Sequence, residues 1–191
     1  MSLCLQILMS HAIGFGNLVH LDSTLTNLLR SASEIPGGPY EADWEWDQEG
    51  RLIPAEDRNC PNKKFPYCTW QADGYADLDA YPGFASRVFP CFWNVFWVND
   101  SWRAFLTNPV IQDNVRAFFS FLGRYFGQTR ILYCQESWEL DEICLRSGSF
   151  DGAVEALTQK YGPPCRSLQD IIRTTPEGHF WAESFFVEDL K

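Results

Sequence analysis

A chain of 191 residues with 46% hydrophobic residues is long and apolar enough to form a core without disulfides or a metal. Its net charge of −10 disfavours nucleic acids and anionic membranes as partners, because both are bound through clustered lysine and arginine. Its aromatic content of 16% excludes a disordered chain and exceeds the needs of a core, so we expect some rings at a partner surface.

The cysteines and the start of the chain bear on the cellular compartment. Seven cysteines form no C-x-x-C pair, and their odd number does not suit a disulfide framework, which favours a reduced protein. The first basic residue is Arg30, whereas a secretory signal begins with basic residues. No apolar run reaches the length of about 18 residues that a membrane-spanning helix needs. We therefore predict a cytoplasmic protein that does not bind membranes.

The first half of the chain predicts strands, one helix and a long irregular segment. The apolar run 3–9 predicts a strand, and Asp22 and Ser23 precede a helical pattern over 23–32. Residues 43–54 predict a β-hairpin, in which tryptophans alternate with acids and Gly50 supplies the turn. Residues 55–86 contain several prolines and glycines and predict an irregular segment, with room for one strand near 67–70.

The second half alternates strands and helices. Residues 88–98 are almost entirely apolar and predict a deeply buried strand, and Asp100 and Ser101 are suited to cap a short helix after it. The pattern over 109–126 predicts an amphipathic helix that ends before Gly127. The remaining predicted elements are a strand over 130–134, a helix over 149–161, a helical turn over 167–172 and a strand over 179–187.

This order of elements predicts the fold class. Strands and helices mix without the regular βαβ alternation of a parallel sheet. We therefore predict one α+β domain over residues 1–191, with a mixed or largely antiparallel sheet and helices packed mainly on one face.

The negative charge is concentrated in two blocks. Residues 31–60 carry a net charge of −6 and residues 131–191 carry another −6, whereas residues 61–130 carry +2. An acidic surface attracts basic partners and accelerates their association. This distribution predicts a basic protein partner rather than a nucleic acid.

The predicted hairpin contains the most suggestive group of side chains. Because side chains alternate along a strand, its acids are expected on one face and both indoles on the other. Such a surface is suited to dock a basic protein; the same acids could instead hold Mg²⁺ or Ca²⁺, or simply keep an edge strand in solution. We predict no metal and assign partner binding to Asp43, Trp44, Glu45, Trp46, Asp47 and Glu49.

No catalytic motif is evident in the sequence. It lacks a G-x-S-x-G elbow, a phosphate-binding loop and closely paired zinc ligands, so we predict no catalytic residue and no cofactor. The favoured hypothesis is a non-enzymatic acidic binding protein, such as an inhibitor or immunity protein that binds a basic toxin or nuclease. The alternative is a small enzyme or ligand-binding domain whose site lies in loop 55–86. Its candidate residues are Asp57, Asp73, Tyr75, Asp77 and Asp79. The oligomeric state stays open.

Overall fold

The secondary structure consists of nine strands and four helices in the part of the chain that the structure describes. This computed structural model describes residues 4–11, 44–46, 52–54, 67–70, 76–80, 84–88, 92–126, 130–135, 142–143, 146–175 and 184–190. The strands are β1 Cys4–Ser10, β2 Trp44–Trp46, β3 Leu52–Pro54, β4 Tyr67–Trp70, β5 Ala76–Ala80, β6 Phe84–Val88, β7 Phe92–Ser101, β8 Arg130–Gln135 and β9 Phe186–Asp189. The helices are α1 Trp102–Thr107, α2 Pro109–Phe126, α3 Phe150–Tyr161 and α4 Leu168–Thr174.

Seven of the strands form one antiparallel sheet. Their order is β4-β5-β6-β7-β1-β8-β9, and β2 and β3 form a separate two-stranded sheet. Every neighbouring pair in the larger sheet runs antiparallel. The predicted α+β class with a largely antiparallel sheet is thereby confirmed.

The helices lie on both faces of this sheet, with most of them on one. Adjacent strand residues point to opposite faces, so Leu132 and Tyr133 mark the two sides. Leu132 belongs to a core cluster with Leu8 and with Leu157 of α3. On the other side the ring of Phe105 in α1 stacks on Tyr133, with 5.2 Å between ring centroids. Because α2 and α4 both contact α1, three of the four helices lie on the Tyr133 side.

Strand β1 lies in the interior of the sheet, between β7 and β8, and supplies much of the core. It pairs with β7 on one side and with β8 on the other. Its residues Leu5, Ile7, Leu8 and Met9 are completely buried. Burial on both faces explains why the run is apolar apart from Gln6 instead of alternating, and Gln6 itself is completely buried.

Three helices begin at a serine cap, as the sequence predicts. The Oγ atoms of Ser101, Ser149 and Ser167 each accept a hydrogen bond from the backbone N–H three residues later, over 3.0 to 3.2 Å. Each bond satisfies one of the N–H groups that a helix leaves without a partner in its first turn. For these three helices, the predicted start coincides with the observed one.

Two predicted segments differ from the structure. Residues 55–86, expected to be irregular apart from one strand near 67–70, contain that strand as β4 and, in addition, β5 and the start of β6. These strands are only four or five residues long, so their sequence pattern is weak, and pairing with neighbours stabilises them. The apolar run 88–98 is not one strand, because Val88 ends β6 and β7 begins at Phe92, opposite Ser10 of β1. An apolar run does not reveal a change of strand within it.

Two other predicted elements remain, the last strand and the helix over 23–32. The last strand, predicted over 179–187, covers Phe186–Asp189; residues 184 and 185 precede it without strand structure, and residues 179–183 lie outside the described residues. The predicted helix over 23–32 lies outside the described residues.

Candidate functional site

The predicted hairpin has the expected backbone pairing. Strands β2 and β3 run antiparallel, with Trp44 opposite Pro54 and Trp46 opposite Leu52. They are not part of the seven-stranded sheet. The hairpin therefore forms a sheet of its own at the most acidic part of the N-terminal half.

The six predicted partner-binding residues divide into two groups. Trp44, Glu45 and Trp46 make up strand β2. The other three, Asp43, Asp47 and Glu49, lie outside the described residues. The pairing of Glu45 with Ile53 fixes the register of the strand that carries the first group.

Most described acids of the second acidic block, residues 131–191, form ion pairs with arginines, either of the block itself or of α2 and the start of β8. Among its described acids, Glu155 alone has no arginine within ion-pair distance. The ion pairs are Glu142–Arg146, Asp151–Arg130, Asp170–Arg173, Glu188–Arg116 and Asp189–Arg130. Most of these side chains are exposed, so the pairs add little stability, but each places a positive charge beside a negative one. The described acids of this block are therefore largely paired within the chain.

A polar cluster of Arg116, Tyr133 and Glu188 joins α2 to the final strand. The Nε atom of Arg116 donates to both carboxylate oxygens of Glu188, over 3.0 and 3.1 Å, and its Nη2 atom also donates to Glu188. The hydroxyl of Tyr133 donates to the same carboxylate over 3.2 Å. The Glu188 side chain is only 12% exposed, so its carboxylate is largely shielded from water, whereas the Arg116 side chain is 44% exposed and reaches the solvent.

The electrostatics of this cluster keep Tyr133 neutral. Burial, followed by the negative charge of Glu188, raises the pKa of the Tyr133 phenol well above its usual range. The hydrogen bond to Glu188 likewise raises the pKa of Arg116. A phenol that holds its proton so firmly is a hydrogen-bond donor and not a base or a nucleophile. The cluster is therefore suited to holding α2 and β9 together rather than to catalysis.

A row of stacked aromatic rings runs across the same face of the sheet. The ring centroids of Trp102 and Phe105 are 5.9 Å apart, those of Phe105 and Tyr133 are 5.2 Å apart, and those of Tyr133 and Phe186 are 6.1 Å apart. Interplanar angles of 15° to 24° make these near-parallel stacks. The row was not foreseen from the sequence, because its four members come from three elements that only the fold brings together.

The residues of the alternative hypothesis are in part strand residues. Asp77 and Asp79 belong to β5, where they lie opposite Arg87 and Ala85 of β6. Strand β5 is also paired with β4 on its other side. The remaining candidates, Asp57, Asp73 and Tyr75, are outside the described residues.

The described residues contain neither a membrane-spanning helix nor a metal site, and the chain has no match among known proteins. Among the described residues, no helix combines the length and apolarity needed to cross a membrane. No three histidine, cysteine, aspartate or glutamate side chains of the described ranges are grouped so that they could hold a metal ion. Comparison with protein-family models, with curated proteins and with solved structures found no match to this chain.

Proposed function

We propose that this protein is a non-enzymatic binding protein that docks a basic protein partner through the acidic, tryptophan-bearing hairpin of residues 43–54. The partner that best suits the charge is a basic toxin or nuclease, which would make this chain an inhibitor or immunity protein. The observation that carries the proposal is the pairing of β2 with β3 as a separate sheet within the acidic block 31–60.

The charge distribution supports the hairpin over other acidic surfaces. Residues 31–60 carry a net charge of −6, whereas most described acids of the second block lie beside an arginine of their own chain. A net excess of acids steers a basic partner toward the surface that bears them and raises the association rate. Tryptophans next to such acids supply the apolar area that most often dominates binding energy in an interface.

The first experiment identifies the partner and measures how it binds. The full chain is immobilised and exposed at low ionic strength to an extract of the cells that produce it, and retained proteins are eluted with salt. We expect a basic protein to elute. The variant Asp43→Asn/Glu45→Gln/Asp47→Asn should then associate with the purified partner at least about tenfold more slowly, while the dissociation rate changes less.

The control variant removes the same charge from another surface. Asp113→Asn/Glu142→Gln/Glu155→Gln neutralises three exposed acids of the helical regions. Its association rate should stay close to that of the wild type at physiological ionic strength. If the hairpin variant associated as fast as the wild type, or if the wild-type rate did not change with salt, docking through the hairpin acids would be wrong.

A further inference from the structure

Two buried polar side-chain atoms have no hydrogen-bond partner among the described residues. They are the indole Nε1 of Trp102 and the amide Oε1 of Gln135. Trp102 is only 2% exposed, so water outside the protein does not reach its N–H group. An indole nitrogen can only donate a hydrogen bond and an amide oxygen can only accept one. Because buried polar groups in folded proteins are almost always hydrogen-bonded, this donor and this acceptor both call for a partner.

The two residues lie at the same end of the sheet. Gln135 of β8 is opposite Leu5 of β1, and Ser101 of β7 is opposite Cys4, the preceding residue of β1. Neighbouring strands are about 4.8 Å apart, so Ser101 and Gln135 flank β1 at a separation of roughly 10 Å. The β1–β7 register shifts here, because Cys4 pairs with Ser101 whereas Leu5 pairs with Trp97. Trp102 follows Ser101 directly and begins α1, which contacts β1.

The two residues also lie on the same face. Gln135 is two residues from Tyr133 in β8, so both side chains are on one side of the sheet. Phe105 stacks on Tyr133 and Trp102 stacks on Phe105. The stacked rings therefore bring the indole of Trp102 to the side of the sheet that carries Gln135, between that sheet and α1.

We propose that Trp102 and Gln135 together bind one small neutral molecule that carries a hydroxyl group. Its oxygen accepts the hydrogen bond from Trp102 Nε1, and its hydrogen is donated to Gln135 Oε1. A neutral guest suits the site because Leu5 and Phe105, both completely buried, are its apolar neighbours. Water and a small alcohol share this chemistry, and the experiment below distinguishes them.

The test is an NMR measurement on the full-length protein labelled with ¹⁵N. Among the eight tryptophan indole signals, that of Trp102 is the one missing from the variant Trp102→Phe. In the wild type we expect the Trp102 indole proton and the Gln135 side-chain amide protons to show dipolar cross-peaks to one and the same guest resonance. A guest at the water frequency identifies water, whereas an added mass in native mass spectrometry identifies an organic hydroxyl compound.

Two variants sharpen the test. Gln135→Met keeps the length of the side chain and removes the amide, so the cross-peak from the Trp102 indole to the guest should be lost. Gln159→Met alters an exposed glutamine of α3 and should leave that cross-peak unchanged. The shared site is overturned if the wild type shows no cross-peak to a guest and no added mass, or if only one of the two residues shows the cross-peak. The wild-type measurement decides the matter even if Gln135→Met does not fold.

Discussion

Tyr133 takes part in two kinds of interaction at once. Its ring stacks between Phe105 and Phe186, and its hydroxyl donates to Glu188, which in turn is held by Arg116. The ring contributes apolar burial and the hydroxyl supplies a hydrogen bond to a shielded carboxylate. One side chain thus connects α1, β9 and, through Glu188, α2.

The variant Tyr133→Phe separates these contributions. It keeps the stacked ring and removes the hydrogen bond, so we expect it to lower the free energy of unfolding by about 1 kcal/mol near neutral pH. Glu188 keeps its arginine partner, which limits the loss. Urea-induced unfolding followed by tryptophan fluorescence measures the difference.

The raised pKa of Tyr133 adds a dependence on pH. In the unfolded chain the phenol loses its proton near its ordinary pKa of about 10, whereas the folded protein keeps it protonated to higher pH. The stabilising contribution of the protonated group is therefore complete below about pH 10 and is lost as the pH rises through the folded pKa. We therefore expect the stability difference between wild type and Tyr133→Phe to stay constant up to about pH 10 and to shrink over the pH range above it. A difference that stayed constant over this range would contradict the burial of the phenol.

At the scale of single elements, helix α3 has clear start and stop signals. Ser149 caps its first turn, Asp151 lies in that turn and Lys160 in the last, which suits the helix dipole at both ends. The helix ends at Gly162, whose φ of +85° with ψ of −178° is a conformation that only glycine adopts readily. The start and the end of this helix are therefore both set by local residues.

The cap can be tested by a single substitution. Ser149→Ala removes the acceptor for the Gly152 N–H, which lies 3.0 Å from the serine Oγ, and should cost about 1 kcal/mol of stability. Ser120→Ala provides the control, because Ser120 lies inside α2, where alanine is the better helix former. Equal stability of the Ser149→Ala variant and the wild type in thermal unfolding would show that the cap is dispensable.

These local signals explain which elements were predictable. Helix α2 begins at Pro109 and ends at Phe126, the bounds that proline at its start, the apolar stripe and Gly127 predict. Strand β8 starts at Arg130 as expected. By contrast, the sequence does not predict strand β5, because Leu78 is the single large apolar side chain among its five residues and pairing with β4 and β6 stabilises it.

The hairpin and the polar cluster differ in the same way. The hairpin was predictable, because its strands are neighbours in sequence and Gly50 marks the turn. The cluster of Arg116, Glu188 and Tyr133 was not, because Arg116 and Glu188 are 72 residues apart. Only the folded sheet brings β9 alongside β8 and beneath α2.

At the scale of the whole molecule, the fold depends on β1, an interior strand of the sheet. Leu8 is completely buried and packs in the cluster between the sheet and α3, together with Leu132 and Phe185. Replacing Leu8 by a smaller residue would leave a cavity and would remove contacts with the sheet and with a helix at the same time.

We therefore expect Leu8→Ala to lower the free energy of unfolding by about 2 to 5 kcal/mol. Val110→Ala serves as the control, since Val110 is 65% exposed and should change stability by less than about 0.5 kcal/mol. Chemical unfolding of both variants provides the comparison. A small effect of Leu8→Ala would mean that β1 is not central to the core.

The position of β1 between β7 and β8, which both come much later in the chain, also has a consequence for biosynthesis. Met9 pairs with Ile131, so the ribosome must add more than a hundred residues after β1 before its partner strand β8 exists. At typical elongation rates of about 5 to 20 residues per second, this delay lasts roughly 6 to 24 seconds. Throughout that interval the apolar segment Cys4–Ser10 has been synthesised but its partner strand β8 has not. We therefore expect the nascent chain to bind chaperones that shield exposed hydrophobic strands.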